Sequence, residues 1–437
     1  MVDVFASLYC LKPVKVCVIG DFMVDNYTYG NASRISPEAP VPVFNTVRSK
    51  MMIGGAGNVV LNLHALGAKV YPIGRVGEDE SGLFIRKDIS RKEIDSKGIF
   101  IQQGVRTPLK DRLIANGQQL MRIDHECCSP LETELEEEIF EYFSNILESV
   151  DIVALSDYAK GFFSLDFTQR ILLLCKEKNK QTIVDPKQEF VFYRHATIIK
   201  PNFMEAVKAS KLDSKTHIDT IANKLLDMTH AQMVMITRAS KGISVFSKNS
   251  RTDHGVESHQ VMDVTGAGDT VLAVTAVAIA SGLTINEAVT LANEAAGIAI
   301  ERVGCARISL ADIAGRLLSK KTYNKVLKQI HSTALLQSLN KSPLCVLKIS
   351  SLEVISEKIF TKIMDISIKR PDHIILVLVF GKAPTRSLID FLSAIEDVNY
   401  IFISDDHSKI FLDEINCKNI YTIEDCKSQK EVLGGYV

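Results

Sequence analysis

The sequence predicts an α/β protein: a central, mostly parallel sheet with helices on both faces and a small β lid, followed by a small α/β C-terminal domain. Three observations carry this expectation. Short apolar runs alternate with helical periodicities up to about residue 318. A proline-marked extended segment with prolines at 37, 40 and 42 breaks that rhythm between residues 27 and 48. After Pro343 the alternation starts again and runs through residues 343–437.

In the first stretch the strand candidates are Val14–Gly20, Val70–Gly74, Ile152–Leu155, Thr182–Val184, Ile198–Lys200 and Met233–Thr237. Helical spacing marks Asn58–Leu66, Glu132–Glu148, Leu165–Lys178 and Thr216–Thr229. Strand–helix–strand order of this kind builds a parallel sheet, and such sheets bind ligands at the carboxyl ends of their strands. Proline confines a strand to an edge or a separate ribbon. Residues 27–48 and 107–124 therefore read as a small antiparallel lid over that edge, and as the contact of a homodimer. Residues 319–342 are polar and basic and read as a connector. The last module is expected to contain a strand at Cys345–Ile349, a helix to about Ile368, the strand Ile374–Phe380, a helix over Arg386–Ala394 and the strand Tyr400–Ser404. At 437 residues the chain exceeds the roughly 250–300 residues at which single cores stop growing, which agrees with two domains.

Composition narrows the function classes. Hydrophobic residues at 46% and charged residues at 24% suit a globular protein. Fifty-one basic against 52 acidic residues give a net charge of −1, which argues against nucleic-acid or membrane-surface binding. No apolar run reaches the roughly 18–20 residues of a transmembrane helix. Val271–Ala280 and Ile374–Phe380 read as a buried helix and a buried strand. The N-terminus lacks the basic start of a secretory signal, so a cytoplasmic location is expected. Nine cysteines without a CxxC or a His/Cys cluster at zinc spacing read as reduced thiols.

The most informative segment is Asp263-Val-Thr-Gly-Ala-Gly-Asp-Thr270, which runs directly into an apolar helix. Gly266, Ala267 and Gly268 let the backbone approach a ligand, and the first-turn N–H groups of the helix form an anion hole. That arrangement suits the charge that develops on a transferring phosphoryl group. Asp269 beside the hole is placed to accept the proton of an attacking hydroxyl as general base. By itself, the motif reads more readily as an ordinary capped helix with an aspartate in its first turn.

Asp263–Thr270 resembles the signature of the ribokinase-like (pfkB-type) carbohydrate kinases. The paired glycines Gly54 and Gly55, with Asn58, resemble the family's N-terminal Gly-Gly-x-x-x-Asn element, although Asn58 follows Gly55 by three residues and not four. Gly20-Asp21-Phe-Met-Val-Asp25, Ser33–Pro42, Ser156-Asp-Tyr-Ala-Lys-Gly161, Asp185-Pro-Lys187 and Lys200-Pro-Asn202 resemble one branch, the D-glycero-β-D-manno-heptose-7-phosphate kinases. The similarity covers roughly residues 14–318. It implies ATP as co-substrate with Mg²⁺ and phosphorylation of the C1 hydroxyl of the heptose 7-phosphate, a step toward ADP-heptose and the lipopolysaccharide core. It implies that Asp21, Gly54, Gly55 and Asn58 bind the sugar, and that Asn202, Glu205, Thr237, Gly242 and Asn293 line the nucleotide. Glu205 would meet Mg²⁺ through water, and Asp263 and Thr265 align with a monovalent-cation position, so K⁺ dependence is open. Arg34, Lys110, Arg112, Arg122, Lys160 and Lys187 stand in segments expected at the carboxyl edge or the lid and are candidates for reading the remote phosphate, with Lys160 and Lys187 favoured.

In relatives of that branch the kinase is often fused to an adenylyltransferase carrying Gly-x-Phe-Asp and His-x-Gly-His runs. Neither occurs after residue 343, where the histidines are His373 and His407. Arg386–Asp390, Tyr400–Ser404 and Gly434-Gly435 faintly resemble that module's later half. A degenerate nucleotidyltransferase-like domain without adenylyltransferase activity is expected. Two other readings fit the same residues: a ribokinase-like kinase of another sugar or nucleoside, and an inactive sugar-phosphate or nucleotide sensor.

Overall fold

A computed structural model describes residues 4–256, 261–320, 325–327, 332–339, 342–350, 357–380, 384–404, 417 and 419–423. In chain order the elements begin with α1 (Val4–Tyr9), β1 (Lys15–Ile35), β2 (Pro42–Gly55), α2 (Ala56–Ala65), β3 (Lys69–Gly77), α3 (Glu80–Ser90), β4 (Ile99–Gln102), β5 (Leu109–Ala115), β6 (Gln118–His125) and α4 (Thr133–Leu147). They continue with β7 (Ile152–Ser156), α5 (Leu165–Glu177), β8 (Gln181–Asp185), β9 (Ile198–Ile199), α6 (Phe203–Ser210), α7 (Ile218–Thr229), β10 (Met233–Thr237), β11 (Ile243–Ser247), β12 (Ser250–His254), α8 (Ala267–Ala280) and α9 (Ile285–Ile300). The last group is α10 (Leu310–Lys320), β13 (Val326–Leu327), α11 (Ser332–Leu339), β14 (Leu344–Ser350), α12 (Glu357–Lys369), β15 (Ile374–Phe380), α13 (Arg386–Ala394), β16 (Tyr400–Ser404) and β17 (Asn419–Ile423).

The chain divides into two compact units, one spanning Cys10–Ser309 and the other combining α1 with the residues from Leu310 on. In the first, the main sheet has the order β12-β11-β10-β9-β8-β7-β1-β3-β4. Every ladder from β4 to β10 is parallel, and only the β10–β11–β12 edge is antiparallel. Each strand expected here forms. The β11–β12 hairpin was not expected, because β12 is polar and charged and serines interrupt the apolar residues of β11.

Both faces are covered by helices, for different reasons. α8 is apolar all round and buried from Asp269 to Ala278, and α2 is buried from Ala56 to Leu63. Helices without a polar face belong inside a core. α4, α5 and α7 on the other side bury single stripes, such as Ile139, Phe143 and Leu147 of α4, against Val153, Leu155 and Val184. Each such large side chain contributes about 1.5–3 kcal/mol when fully buried.

The lid differs from expectation in two ways. β1 does not stop at Gly20: it leaves the main sheet and runs on to Ile35, pairing antiparallel with β2 from Phe22 onward. Its Val24–Gly30 stretch pairs in parallel with Leu109–Ala115 of β5, and β5 pairs antiparallel with β6. The lid is thus a mixed four-stranded sheet, β2-β1-β5-β6, not a purely antiparallel one.

The second unit holds five parallel strands in the order β13-β16-β15-β14-β17. Its core includes Leu347, Ile349, Ile363, Val377, Val379 and Leu392. Counting from β14, the order 3-2-1-4 is that of a doubly wound sheet. Residues 319–342 are not a bare connector, since they contribute β13 and α11 to this unit, which starts at Leu310. His407 and Gly434-Gly435 lie outside the described residues. Among the described residues no helix is long and apolar enough to cross a membrane.

Candidate active site

Asp269 enters the site from the first turn of α8, whose N-cap is Gly266. Gly266 has φ +79°, and a Cβ there would lie 2.7 Å from Asn58 Nδ2. Only glycine satisfies both conditions without strain. No side chain caps this helix end, which leaves first-turn donors for a ligand. Gly268 is open to solvent, and a Cβ on it would face Lys200 Nζ at 3.5 Å and Asp185 Oδ2 at 3.8 Å. Lys200, buried and ion-paired with Asp185 at 2.8 Å, therefore puts a positive charge beside the predicted anion hole.

The carboxylate of Asp269 is buried and held by two donors: Asn58 Nδ2 reaches Oδ2 at 2.8 Å, and the Tyr158 hydroxyl reaches Oδ1 at 2.6 Å. Burial raises its pKa to about 7, against the pull of those two donors. Such a carboxyl can accept a proton near neutral pH. Asn58 is itself fixed, because Asn62 Nδ2 donates to its carbonyl and side-chain oxygens at 3.0 and 3.2 Å.

Asp21 is also buried, in β1 where it passes the end of β7. Its Oδ2 accepts from the backbone N–H groups of Tyr158 (2.8 Å) and Lys160 (3.2 Å). Burial, and then the nearby charge of Asp157, raise it to about 7 as well. Gly54 and Gly55 have a direct reason. A Cβ on Gly54 would lie 2.2 Å from Asp25 Oδ2, and one on Gly55 2.5 Å from the Asp21 carbonyl. The glycines let β2 and the start of α2 close against the aspartates of β1. Asp25 in turn is ion-paired with Arg112 of the lid.

The expected nucleotide side assembles around β9 and β10. Thr237 bridges to Asn202, and its N–H donates to the Pro201 carbonyl at 3.0 Å. Asn202 and Glu205 form a reciprocal capping box at the start of α6: Glu205 N–H donates to Asn202 Oδ1 and Asn202 N–H to Glu205 Oε2, both at 2.9 Å. Gly242 has φ +75° and accepts from Arg238 N–H at 2.7 Å. Asn293 donates to the carbonyl of His254 at 3.1 Å, so it secures the edge hairpin. Asp263 accepts from Thr265 N–H (2.9 Å) and hydroxyl (2.6 Å) and from Gly304 N–H (2.9 Å). Burial works upward on its pKa, but these donors outweigh it and hold the carboxyl below its usual range.

The two favoured phosphate-reading lysines pair with different carboxylates. Lys160 pairs with Glu126 at 2.5 Å, and Lys110 of the lid lies 3.7 Å from both Glu126 and Asp124. Lys187 instead pairs with Glu205 at 2.7 Å, on the element expected to serve the nucleotide. Of the other cations, Arg112 is occupied by Asp25 and Arg122 by Asp124, while Arg34 is exposed at the far end of β1.

Residues 14–312 match the profile of the pfkB family carbohydrate kinases. The chain belongs to that family. Curated relatives named Bifunctional protein HldE include one from Syntrophotalea carbinolica, 36% identical over 69% of this chain and 63% of its own length. Another, from Helicobacter pylori, is 36% identical over 72% of this chain and 68% of its own length. The chain thus matches less than two thirds of the Syntrophotalea protein. Among solved structures, Arabidopsis thaliana ribokinase complexed with ribose and ATP superposes with a TM-score of 0.58 at 18% identity, covering 70% of this chain and 99% of the ribokinase. Phosphofructokinase-2 from Escherichia coli in complex with potassium gives 0.57 at 15% identity, covering 69% and 97%. These similarities show the ribokinase-like fold.

Sequence reasoning missed Tyr158 and Lys200 as members of this candidate site, although both stand inside motifs that it used. Nothing in one dimension signals that Tyr158 reaches Asp269, 111 residues away. Asp157 was missed too; it is buried, hydrogen-bonded by Tyr193, and accepts from Ala159 N–H at 2.6 Å.

Proposed function

We propose that this chain is an ATP-dependent kinase that phosphorylates the C1 hydroxyl of D-glycero-β-D-manno-heptose 7-phosphate, giving the 1,7-bisphosphate. The observation that carries the reading is the buried, doubly hydrogen-bonded carboxylate of Asp269 at an uncapped helix start, with Lys200 beside it. In this reading the sugar lies between Asp21 and Asp269 under the lid. Its C1 hydroxyl gives its proton to Asp269 as the oxygen attacks the γ-phosphorus, and ADP leaves. Gly266, Ala267 and Gly268 supply the anion hole, and Lys200 offsets charge on the transferring group.

Support for a phosphorylated acceptor comes from Lys160 and Lys110, whose ammonium groups flank one carboxylate, Glu126. A phosphate could take the place of that carboxylate between them. Lys187 is assigned to the nucleotide side with Glu205. Both Glu205 oxygens accept hydrogen bonds, from Lys187 and from Asn202 N–H, so any role toward Mg²⁺ runs through water, and the ion would be held mainly by ATP's phosphates. A K⁺ site at Asp263 and Thr265 is part of the same reading and is checked by comparing turnover in K⁺ and Na⁺ buffers. A homodimer through the lid is supported by the exposed Val47, Leu120 and Met121 on β2 and β6; light scattering of the intact chain checks it.

The test is a product assay with ATP and heptose 7-phosphate, run beside ribose and fructose 6-phosphate. The new phosphate should appear on C1 of the heptose. Asp269→Asn should lower kcat by about 10²–10⁴ while ATP still binds. Near wild-type turnover of that variant removes Asp269 as the base, and preference for another sugar removes the heptose assignment.

A further inference from the structure

Tyr158 is one of the two donors to Asp269, and the sugar-kinase reading gives it no role of its own. Its hydroxyl donates to Asp269 Oδ1 at 2.6 Å, and its backbone N–H donates to Asp21 Oδ2 at 2.8 Å. One residue therefore spans the carboxylate expected to hold the sugar and the carboxylate expected to take its proton. The span is braced from several sides. Asp157, two residues before Ala159, accepts that residue's N–H at 2.6 Å, and Ala159 has φ +54°. The Lys160 carbonyl accepts from Arg75 Nη2 at 2.8 Å, and buried Arg75 also holds the Ser129 carbonyl at 2.8 Å. A non-glycine residue in the left-handed region costs about 1 kcal/mol or more, so this conformation is held by its surroundings.

We propose that Tyr158 is a positioning residue for the general base: its hydroxyl holds Asp269 ionised and oriented, while its backbone fixes the distance from that base to the sugar-binding carboxylate. The proposal rests on the reading of Asp269 as base. Other groups facing Asp269 are Asn58 from α2, Asp185 at the end of β8, Lys200 after β9, and the Cys305 thiol. Asp185 opposes ionisation, and Lys200 and Asn58 favour it. Tyr158 is suited to be a permanent donor, because burial and then the charges of Asp269 and Asp185 push its phenol well above the ordinary tyrosine range. It keeps its proton throughout, and the only proton that moves is the one from the sugar hydroxyl to Asp269.

Tyr158→Phe removes the hydroxyl and keeps the ring and the backbone N–H. With saturating ATP and heptose 7-phosphate, kcat should rise with pH as Asp269 ionises, and Asp21 is then engaged by the sugar. Loss of a donor to the charged form moves that rise to higher pH, by about half a unit or more. At neutral pH kcat should fall by about twofold to tenfold, with KM for the sugar little changed. Replacing Tyr158 by 3-fluorotyrosine, a stronger donor of nearly the same shape, should move the rise to lower pH. A merely structural role would change kcat or melting temperature and leave the midpoint alone. Identical midpoints in wild type and both variants overturn the proposal. If Asp269→Asn keeps its turnover, the base assignment itself has failed. If Asp269→Asn is inactive and the Tyr158 midpoints do not move, only the role of Tyr158 is lost.

Discussion

Gly266 shows how one backbone atom can govern the chemistry of a site. Its φ of +79° turns the chain into α8, and its missing Cβ leaves room for Asn58 Nδ2 to reach Asp269. Gly266→Ala would add left-handed strain of about 1–2 kcal/mol and a carbon 2.7 Å from that amide. Asn58 must then retreat from Asp269. Turnover should drop by on the order of 10²-fold, with a smaller loss of thermal stability; unchanged kcat would show that the Asn58–Asp269 contact is dispensable. Asp269, Asp21, Asn58 and the glycines were singled out because they stand in segments that resemble the motifs of a known family; spacing alone reads them as turn, cap and first-turn residues. Tyr158 was not, since tyrosine at the end of an apolar strand is ordinary packing until the fold brings Asp269 against it. Lys187 and Lys160 look alike in sequence, each just past a strand beside an aspartate. They separate only because β8 and β7 aim them at different acidic partners, Glu205 and Glu126.

At the level of elements, apolar runs in the buried strands were read with ends close to those observed, and elements defined by pairing were not. β1 was cut short at Gly20-Asp21, which looks like a strand end, yet hydrogen bonds from β2 and β5 carry it on to Ile35. β13, only two residues long, exists through its pairing with β16. The start of α6 raises a sharper question, because Asn202 and Glu205 were expected at the nucleotide and are observed as a capping box. Asn202→Ala should cost about 1 kcal/mol of stability, roughly 2 °C in melting temperature for a unit of this size. Asn202→Ser restores a capping oxygen without the amide. If the residue only caps α6, the serine variant regains both stability and KM for ATP. If the amide also meets the nucleotide, stability returns and KM for ATP stays high.

For the molecule as a whole, the two α/β units divide the work unevenly. Every hydrogen bond that builds the site, from Asp21 to Gly304, lies between Cys10 and Ser309. The unit from Leu310 on has its own parallel sheet and its own apolar core, and the match to the pfkB family ends at residue 312. Residues 343–437 contain no His-x-Gly-His run, the basis for expecting no adenylyl transfer from this unit. A chain comprising residues 10–309 should therefore fold cooperatively and phosphorylate within a few-fold of the intact protein. Insoluble protein, or a large loss of kcat with folding intact, would make the second unit a working part of the kinase. In parallel, the intact protein given ATP and heptose 1-phosphate should form no ADP-heptose. Pyrophosphate release in that assay would show that a transferase centre survives on the second sheet without its usual histidines.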